Sequence, residues 1–216
     1  MDTIIDIVKK EKIKLESYKK SDVEKLIQVQ QECTSLNEYL KKFDLANKVM
    51  QSSENIKRIT FELLEDAQKE NIKYIEVRFA PLLHVYKGLS IDEVIQSVID
   101  GINEAEKKYD IKANIILCCM RTMSEDDAIL VVEKGRKFLN KGVVAIDLAG
   151  PEEEGFVKKY KRAIELARNY GYKVTIHAGE AGSAQNVIDA INIANAQRIG
   201  HGIRIKDMKS AYELVK

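Results

Sequence analysis

Apolar residues follow two spacings along the chain, one typical of helices and one typical of buried strands. Over the first 70 residues they recur every three or four positions, which predicts helices over residues 2–15, 22–43 and 54–69. Farther along, short apolar and β-branched runs alternate with helical stretches. The predicted strands cover residues 73–80, 113–119, 143–148, 173–180 and 198–201, and the predicted helices between them cover 90–109, 124–139, 155–170 and 183–196. This alternation predicts an α/β fold with a parallel sheet and right-handed crossovers.

Two of the predicted strands end in histidines that are followed by glycines. One strand ends in the run His177-Ala-Gly-Glu180, and the last strand ends at His201, which lies between two glycines. Because the carboxyl ends of parallel strands build the site in such folds, we expect His177, Glu180 and His201 to converge. An imidazole nitrogen can bind zinc, and a carboxyl group in a desolvated site can donate a proton at neutral pH. The structural alternatives are a strand-end histidine that hydrogen-bonds a neighbouring loop and a histidine satisfied within the core.

Other polar or small residues near strand ends have structural interpretations as well. Gly150 ends the third strand and could bring its backbone N–H close to a ligand, although a tight turn explains it equally well. Glu76 and Arg78 share one face of the first strand, so a buried pair under the site is expected. The adjacent cysteines 118 and 119 are predicted to fill the core, and His84 is predicted to be exposed in a loop.

Composition favours a single domain that acts on a small molecule. The chain has 216 residues, of which 45% are hydrophobic, and no linker interrupts them, so one domain over residues 1–216 is expected. The 35 basic and 34 acidic side chains nearly cancel, which argues against a nucleic-acid or membrane surface. Three cysteines without a CxxC pair and an acidic start without an export signal predict a cytoplasmic protein.

Six segments together resemble the adenosine deaminases of the metal-dependent hydrolase barrels. The combination of His-Ala-Gly-Glu and Gly-His-Gly in this order is more specific than either run alone. The matching segments cover residues 35–44, 74–81, 116–121, 143–150, 176–182 and 198–202. The resemblance implies a TIM-type (β/α)8 barrel that hydrolyses the 6-amino group of adenosine or deoxyadenosine, giving inosine and ammonia from adenosine.

The resemblance also implies roles for individual residues. By it, His177 is a zinc ligand, Glu180 protonates purine N1, His201 orients and deprotonates the water, and Gly150 donates its N–H to purine N3. An apolar lid over the nucleoside would comprise Leu36, Tyr39, Leu40 and Phe43, for which helix packing is the alternative. Gly200, before His201, resembles nucleoside deaminases more than adenine deaminases, which are expected to carry Asp there. The H-x-E and P-C-x-x-C runs of the nucleic-acid base deaminases are absent.

Two parts of the family's pattern are missing from this sequence. Family members carry a His-x-His strand and an Asp-Asp strand that complete the zinc site, and this chain has neither and only three histidines. By the family's plan it holds strands two to six of eight, an incomplete barrel whose open sheet edges predict self-association. Two hypotheses follow: the chain is the central portion of an adenosine deaminase, or it is a non-catalytic remnant or an oligomerising, purine-binding module.

Overall fold

The computed structural model describes residues 1–29, 33 and 35–216. They form two compact units: one comprises residues 1–75 and 82–113, and the other comprises residues 76–81 and 114–216. The single domain expected from the composition stays a prediction.

The first unit is helical. Its helices are α1 (Asp2–Lys10), α2 (Lys20–Ile27), α3 (Leu36–Leu40), α4 (Asp44–Val49), α5 (Ser53–Lys69) and α6 (Ile91–Lys108). The first predicted helix ends early, near Lys12, whose φ of 53° is incompatible with a right-handed helix. The predicted helix over residues 22–43 is wrong as one element, since α2 ends at Ile27 and α3 begins at Leu36. Residues 30–32 and 34 of that prediction lie outside the described residues.

Local capping and apolar packing hold this unit together. Ser52 caps α5 by accepting a hydrogen bond from the N–H of Asn55 at the start of that helix. Ser90 forms a capping box with Glu93 at the start of α6. The apolar core under the short helices is fully or nearly fully buried and comprises Ile7, Val8, Val23, Leu45 and Val49.

His84 contradicts its predicted exposure. It lies in a 3-10 turn, Pro81–His84, and only 3% of its surface is exposed. Its Nδ1 atom lies 3.1 Å from the carbonyl oxygen of Met50, to which the ring N–H donates. Burial lowers the pKa of His84 to about 4, against the opposing effect of that backbone hydrogen bond.

The five predicted strands form one sheet. They are β1 (Tyr74–Phe79), β2 (Lys112–Met120), β3 (Val143–Ala149), β4 (Lys173–Ala178) and β5 (Arg198–His201), in the order β1-β2-β3-β4-β5. The pairs β2–β3, β3–β4 and β4–β5 are parallel. The interior of β2 is nearly fully buried, as expected of a sheet covered on both faces.

The second unit supplies the helices that follow these strands. They are α7 (Glu125–Gly135), α8 (Lys161–Tyr170), α9 (Ala184–Asn192) and α10 (Lys209–Val215). The predicted helix over residues 155–170 begins as a 3-10 turn, Phe156–Tyr160, and ends as predicted at Gly171, whose φ is 94°. Strands that follow one another in sequence order within a parallel sheet are those of a (β/α)8 barrel, here incomplete, so the predicted fold class is confirmed. Among the described residues, no helix combines the length and the apolar character needed to cross a membrane.

Candidate active site

The carboxyl ends of β4 and β5 bring the three predicted residues together within the second unit. The Nε2 atom of His201 lies 3.5 Å from Oε2 of Glu180. The rings of His177 and His201 lie 5.0 Å apart between centroids, at an angle of 51°. The side chains of His177, Glu180 and His201 are 19%, 20% and 37% exposed, so solvent or a ligand can reach all three. The arrangement places two imidazoles and one carboxyl group at one sheet edge.

The glycines on either side of His201 have different tasks. His201 and Gly202 both adopt left-handed conformations, with φ of 64° and 63°. The backbone turn ends with the N–H of Gly202 donating to the carbonyl oxygen of Ala178 on β4 at 3.0 Å. A Cβ at Gly200 would lie 3.5 Å from the Cγ and Nδ1 atoms of His177. A Cβ at Gly200 would therefore make only an ordinary van der Waals contact with the His177 ring, whereas Gly202 allows the turn.

A buried carboxylate that the sequence argument missed holds His177 from behind. Asp147 on β3 is 1% exposed, and its Oδ2 atom lies 2.7 Å from Nδ1 of His177. That approach is at ion-pair distance but lacks the alignment of a hydrogen bond. The better-defined contacts are made by Oδ1, which accepts the backbone N–H groups of Leu148 at 2.7 Å and His177 at 3.2 Å. Asp147 thereby fixes both the backbone and the ring of His177.

The expected pair between Glu76 and Arg78 is replaced by two other pairs. The Nε atom of Arg78 lies 3.1 Å from Oδ2 of Asp147, and Glu76 Oε2 lies 2.6 Å from Nη1 of Arg198 on β5. Glu76 and Arg78 lie on the same face of β1, but each side chain pairs with a residue of another strand and not with the other. The Nη1 atom of Arg78 also lies 3.4 Å from Nε2 of His177.

Arg121 joins the ends of three strands and was also missed as a functional position. Its Nη1 atom donates to the carbonyl oxygen of Gly150 at 2.7 Å, and Nη2 donates to those of Leu148, at 3.2 Å, and His177. The guanidinium lies 3.9 Å from the ring centroid of Phe156. Burial lowers the pKa of Arg121 from its usual value, and the nearby carboxylates oppose this effect.

Glu152 lies beneath the loop that carries Glu180. Its Oε2 atom accepts the backbone N–H groups of Glu180, Ala181 and Gly182 at 2.8–2.9 Å, and its Oε1 atom accepts that of Gly179 at 2.7 Å. Burial raises the pKa of this carboxyl group, but these hydrogen bonds and one from the Asn186 amide outweigh it and hold the pKa below its usual value. Glu152 is therefore ionised at neutral pH and anchors the loop.

Gly150 keeps both of its interpretations. Its φ of 103° requires glycine, and a Cβ would lie 3.4 Å from the Cε atom of Met120. Its carbonyl oxygen is engaged by Arg121, which fixes the peptide orientation at this strand end. Both a tight turn and a backbone donor to a ligand are consistent with this geometry.

The four predicted lid residues belong to the first unit. They lie in α3 and in the 3-10 turn Lys41–Phe43 that follows it: Leu36, Tyr39, Leu40 and Phe43. The rings of Tyr39 and Phe43 are 41% and 45% exposed and pack edge to face, 5.5 Å apart between centroids. This exposure argues against plain core packing for these two aromatic residues, and the lid role stays a prediction.

The described residues do not fit a zinc ion by themselves. They contain no cluster of three or more His, Cys, Asp or Glu side chains that could hold a metal. His177 has a ligand-like arrangement, with a carboxylate behind Nδ1, but the positively charged guanidinium of Arg78 lies beside its Nε2 atom. A structural or catalytic zinc site needs three or four protein ligands, and the described part of the chain offers one candidate.

Signals for the missed residues exist in the sequence but are weak. Asp147 is a single carboxylate inside a strand of β-branched and apolar residues, a position that requires a partner. Arg121 follows the second strand, and Glu152 follows the Gly150-Pro151 turn after the third. Strand-end position alone could have marked all three, although not their partners.

Known proteins resemble the chain along its whole length. A family model described as adenosine deaminase matches residues 1–215. Adenosine deaminases of Clostridium botulinum (strain Okra / Type B1) and Clostridium perfringens (strain SM101 / Type A) are 60% and 55% identical over 216 residues. The alignments cover all of this chain but 64% and 65% of those relatives, so the chain spans just under two thirds of their length.

Three solved structures share the fold. An adenine deaminase from Arthrobacter aurescens has a TM-score of 0.87 at 22% identity. The aligned region covers 99% of this chain and 64% of the adenine deaminase. An amidohydrolase from Burkholderia ambifaria with bound zinc has a TM-score of 0.90 at 20% identity, with coverages of 99% and 58%. Arabidopsis ADAL complexed with IMP has a TM-score of 0.83 at 24% identity, with coverages of 99% and 62%. At these identities the structures show a common fold alone, whereas the family model covers nearly every residue: the chain belongs to the adenosine deaminase family.

Proposed function

We propose that this chain provides the proton-transfer residues of a zinc-dependent purine nucleoside deaminase, which hydrolyses the 6-amino group of adenosine or deoxyadenosine. With adenosine the products are inosine and ammonia. The observation that carries the proposal is the 3.5 Å approach of the Glu180 carboxyl group to Nε2 of His201, beside the His177 ring. A proton donor and a proton acceptor so close together suit addition of water to an electron-poor ring.

Glu180 and His201 transfer the protons of the proposed reaction. Glu180 donates its proton to purine N1, so that the ring accepts electrons as water adds to C6. His201 takes the proton from that water as its oxygen bonds to C6. The adduct then expels the amino group: His201 returns its one proton to that nitrogen, the C6–N bond breaks and ammonia leaves, while the hydroxyl proton passes to the Glu180 carboxylate as the C6 carbonyl forms. Gly150 supports binding by offering its backbone N–H to purine N3, and Leu36, Tyr39, Leu40 and Phe43 cover the nucleoside.

Zinc is part of the proposed enzyme, where it would activate the attacking water. The amidohydrolase of similar fold carries bound zinc. Since His177 is the one ligand candidate among the described residues, the other ligands would come from outside them. Further residues of the same polypeptide or another chain could supply them.

The test is conversion of adenosine to inosine, followed by ultraviolet absorbance with zinc content measured in parallel. The protein that carries this chain together with the further zinc ligands is compared with its Glu180→Gln variant and with a matched control, Glu153→Gln, whose exposed side chain pairs with Lys159. Conversion by the wild type and by Glu153→Gln, reduced in Glu180→Gln by roughly 100-fold or more, is the expected result for a general acid. Equal conversion by Glu180→Gln would remove Glu180 from the mechanism.

The small number of metal ligands favours a second function, purine binding without turnover. It predicts that the 216-residue chain binds inosine or adenosine in calorimetry while converting neither. Adenosine conversion by the chain alone contradicts this second function. The solved structure of ADAL holds IMP, which supports a purine nucleoside or nucleotide as the small-molecule ligand in either case.

Two further predictions about this protein remain proposals. Self-association is expected through the outer edges of the sheet, where β1 and β5 lie, and sedimentation analysis at several concentrations tests it. A cytoplasmic location follows from the cysteine pattern, and cell fractionation tests it.

A further inference from the structure

Three consecutive glutamates after β3 have three different environments. Glu152 is half-buried under the loop of residues 179–182, and its carboxylate accepts four backbone N–H groups. Glu153 is exposed and pairs with Lys159 at 2.6 Å. Glu154 accepts the N–H and the hydroxyl of Ser183, each at 2.7 Å. Similar side chains in one run therefore offer a test position and a matched control.

The loop sequence is shaped around the Glu152 carboxylate. A Cβ at Gly182 would lie 2.9 Å from Cδ of Glu152 and 2.4 Å from Nδ2 of Asn186, closer than real Cβ atoms come. Gly179 has a φ of 66°, a left-handed conformation that helps turn successive N–H groups toward one point. Both glycines of the run after His177 are thus required by the contact with Glu152 or by the turn that makes it.

Asn186 fixes the carboxylate from the other side. This side chain of α9 is completely buried. Its Nδ2 atom donates to Oε1 of Glu152 at 3.0 Å and to the carbonyl oxygen of Glu153 at 3.1 Å, and its Oδ1 atom accepts the N–H of Gly155 at 3.0 Å. The Glu152 carboxylate therefore has five donors and little freedom to leave them.

Glu180 lies in the middle of the loop that Glu152 holds. Its N–H donates to Glu152, the N–H groups on both sides of it do the same, and its own carboxyl group reaches His201. We propose that Glu152 is a positioning residue, which fixes the backbone of residues 179–182 and thereby sets the carboxyl group of Glu180 against His201. The catalytic meaning of this role rests on the function proposed above for Glu180, because proton transfer is sensitive to small displacements of the donor.

The substitution Glu152→Gln removes hydrogen-bond acceptors and keeps the size of the side chain, so it separates the positioning role of Glu152 from simple packing. Glutamine has the same shape, but one of its two terminal atoms is an NH2 group, which donates and does not accept. Both carboxylate oxygens of Glu152 accept hydrogen bonds. In either orientation of the glutamine amide, its NH2 group would therefore face N–H donors that have lost their acceptor. Glu153→Gln makes the same chemical change at an exposed position and serves as the control.

The experiment is NMR on the 216-residue chain and its variants, without added ligand. Two readouts are recorded: the amide exchange rates of Gly179, Glu180, Ala181 and Gly182, and the nuclear Overhauser effect between the Glu180 γ protons and the His201 ring. In Glu152→Gln we expect exchange of these four amides to rise by about tenfold or more and the Overhauser effect to weaken or vanish. The amides inside β4 should stay protected, which shows that the fold persists, and Glu153→Gln should match the wild type.

Unchanged exchange, or an unchanged Overhauser effect in Glu152→Gln, overturns the proposal. If that variant does not fold, Glu152→Asp replaces it: charge and acceptors stay, but the shorter side chain cannot reach all five donors, and the same two readouts decide. If the wild type converts adenosine, Glu152→Gln should lower kcat by about tenfold with a smaller change in KM, and an unchanged kcat overturns the catalytic meaning. If the wild type supplied with the further zinc ligands converts no adenosine, the proposed function fails, while the two NMR readouts still decide the position of Glu180.

Discussion

The carboxylate of Asp147 holds His177 through two different atoms of that histidine. Its Oδ1 atom accepts the backbone N–H of His177 at 3.2 Å, and its Oδ2 atom lies 2.7 Å from Nδ1 of the ring. Both contacts come from one fully buried side chain on the neighbouring strand β3, which is parallel to β4. The position of His177 therefore depends on the pairing of β3 with β4 and on the negative charge of Asp147.

Asp147→Asn should lower the stability of the protein because it removes a buried negative charge and leaves the groups that were paired with it in place. The guanidinium of Arg78 would lose its carboxylate at 3.1 Å, and the new NH2 group would face donors. Breaking a buried pair costs about 3–5 kcal/mol, and we expect about 2–3 kcal/mol here because Arg78 is partly exposed. Urea unfolding at pH 7 measures the loss. The exposed Asp126→Asn should stay within about 0.5 kcal/mol of the wild type, and an equally small effect at Asp147 would contradict the role described above.

Arg121→Met should also be strongly destabilising, for a different reason. The substitution leaves the carbonyl oxygens of Leu148, Gly150 and His177 without the donor that joins them. Each unsatisfied buried acceptor costs about 1–3 kcal/mol, and partial access of water reduces the sum, so we expect a loss of about 3 kcal/mol. Urea unfolding measures this loss too. The control is Arg136→Met, whose exposed guanidinium stacks 4.1 Å from the Tyr170 ring centroid and should cost less than about 1 kcal/mol.

The sequence predicted the strands and the order of the sheet because these depend on local patterns. The runs around Ile115, Val143 and Val174 are apolar and β-branched, and alternate with stretches that have helical spacing. The helix predicted over residues 22–43 failed for the same reason, since a three-to-four residue spacing continues across the gap between α2 and α3. The spacing continues into α3 although none of the residues of that helix is buried, so apolar spacing alone does not show where one helix ends and the next begins.

The site divides in the same way between local and non-local information. His177, Glu180 and His201 were found because the ends of parallel strands meet at one edge. Asp147 and Glu152 were missed because their importance lies in their partners, which are 30 and 27–34 residues away along the chain. The partners of Arg78 and Glu76 were wrong for this reason too, since strand register and side-chain length decide them.

His84 should make the stability of the protein depend on pH. Its pKa in the folded chain is about 4, against 6.5 for a free histidine, because burial disfavours the charged ring. Between these values the unfolded chain binds a proton at His84 that the folded chain does not. The contribution is therefore fully present above about pH 6.5 and is lost as the pH falls toward 4, by about 3 kcal/mol in total.

The measurement is the free energy of unfolding of the wild type and of His84→Gln, from pH 7.5 to pH 4. Carboxylates titrate in the same range, so the difference between the two proteins isolates the histidine. The wild type should lose more stability than the variant as the pH falls below 6.5. Parallel curves would show that His84 is solvated or protonated in the folded chain.

Gly101 allows α5 and α6 to pack closely in the first unit. The substitution Gly101→Ala tests whether the contact between the two helices leaves room for a Cβ atom. Alanine should favour the helix by about 1 kcal/mol, since glycine is a poor residue for a helix interior. Its Cβ would lie 2.6 Å from the carbonyl oxygen of Lys57 and 2.7 Å from Cβ of Thr60, so the helices must move apart. Overpacking of this kind costs about 1–3 kcal/mol, and because backbone must move we expect the high end and a net loss of about 1–2 kcal/mol. Thermal unfolding measures it, with the exposed Asn103→Ala on the same helix as the propensity control. A gain in stability like that of the control would mean that the two helices are not in close contact at Gly101.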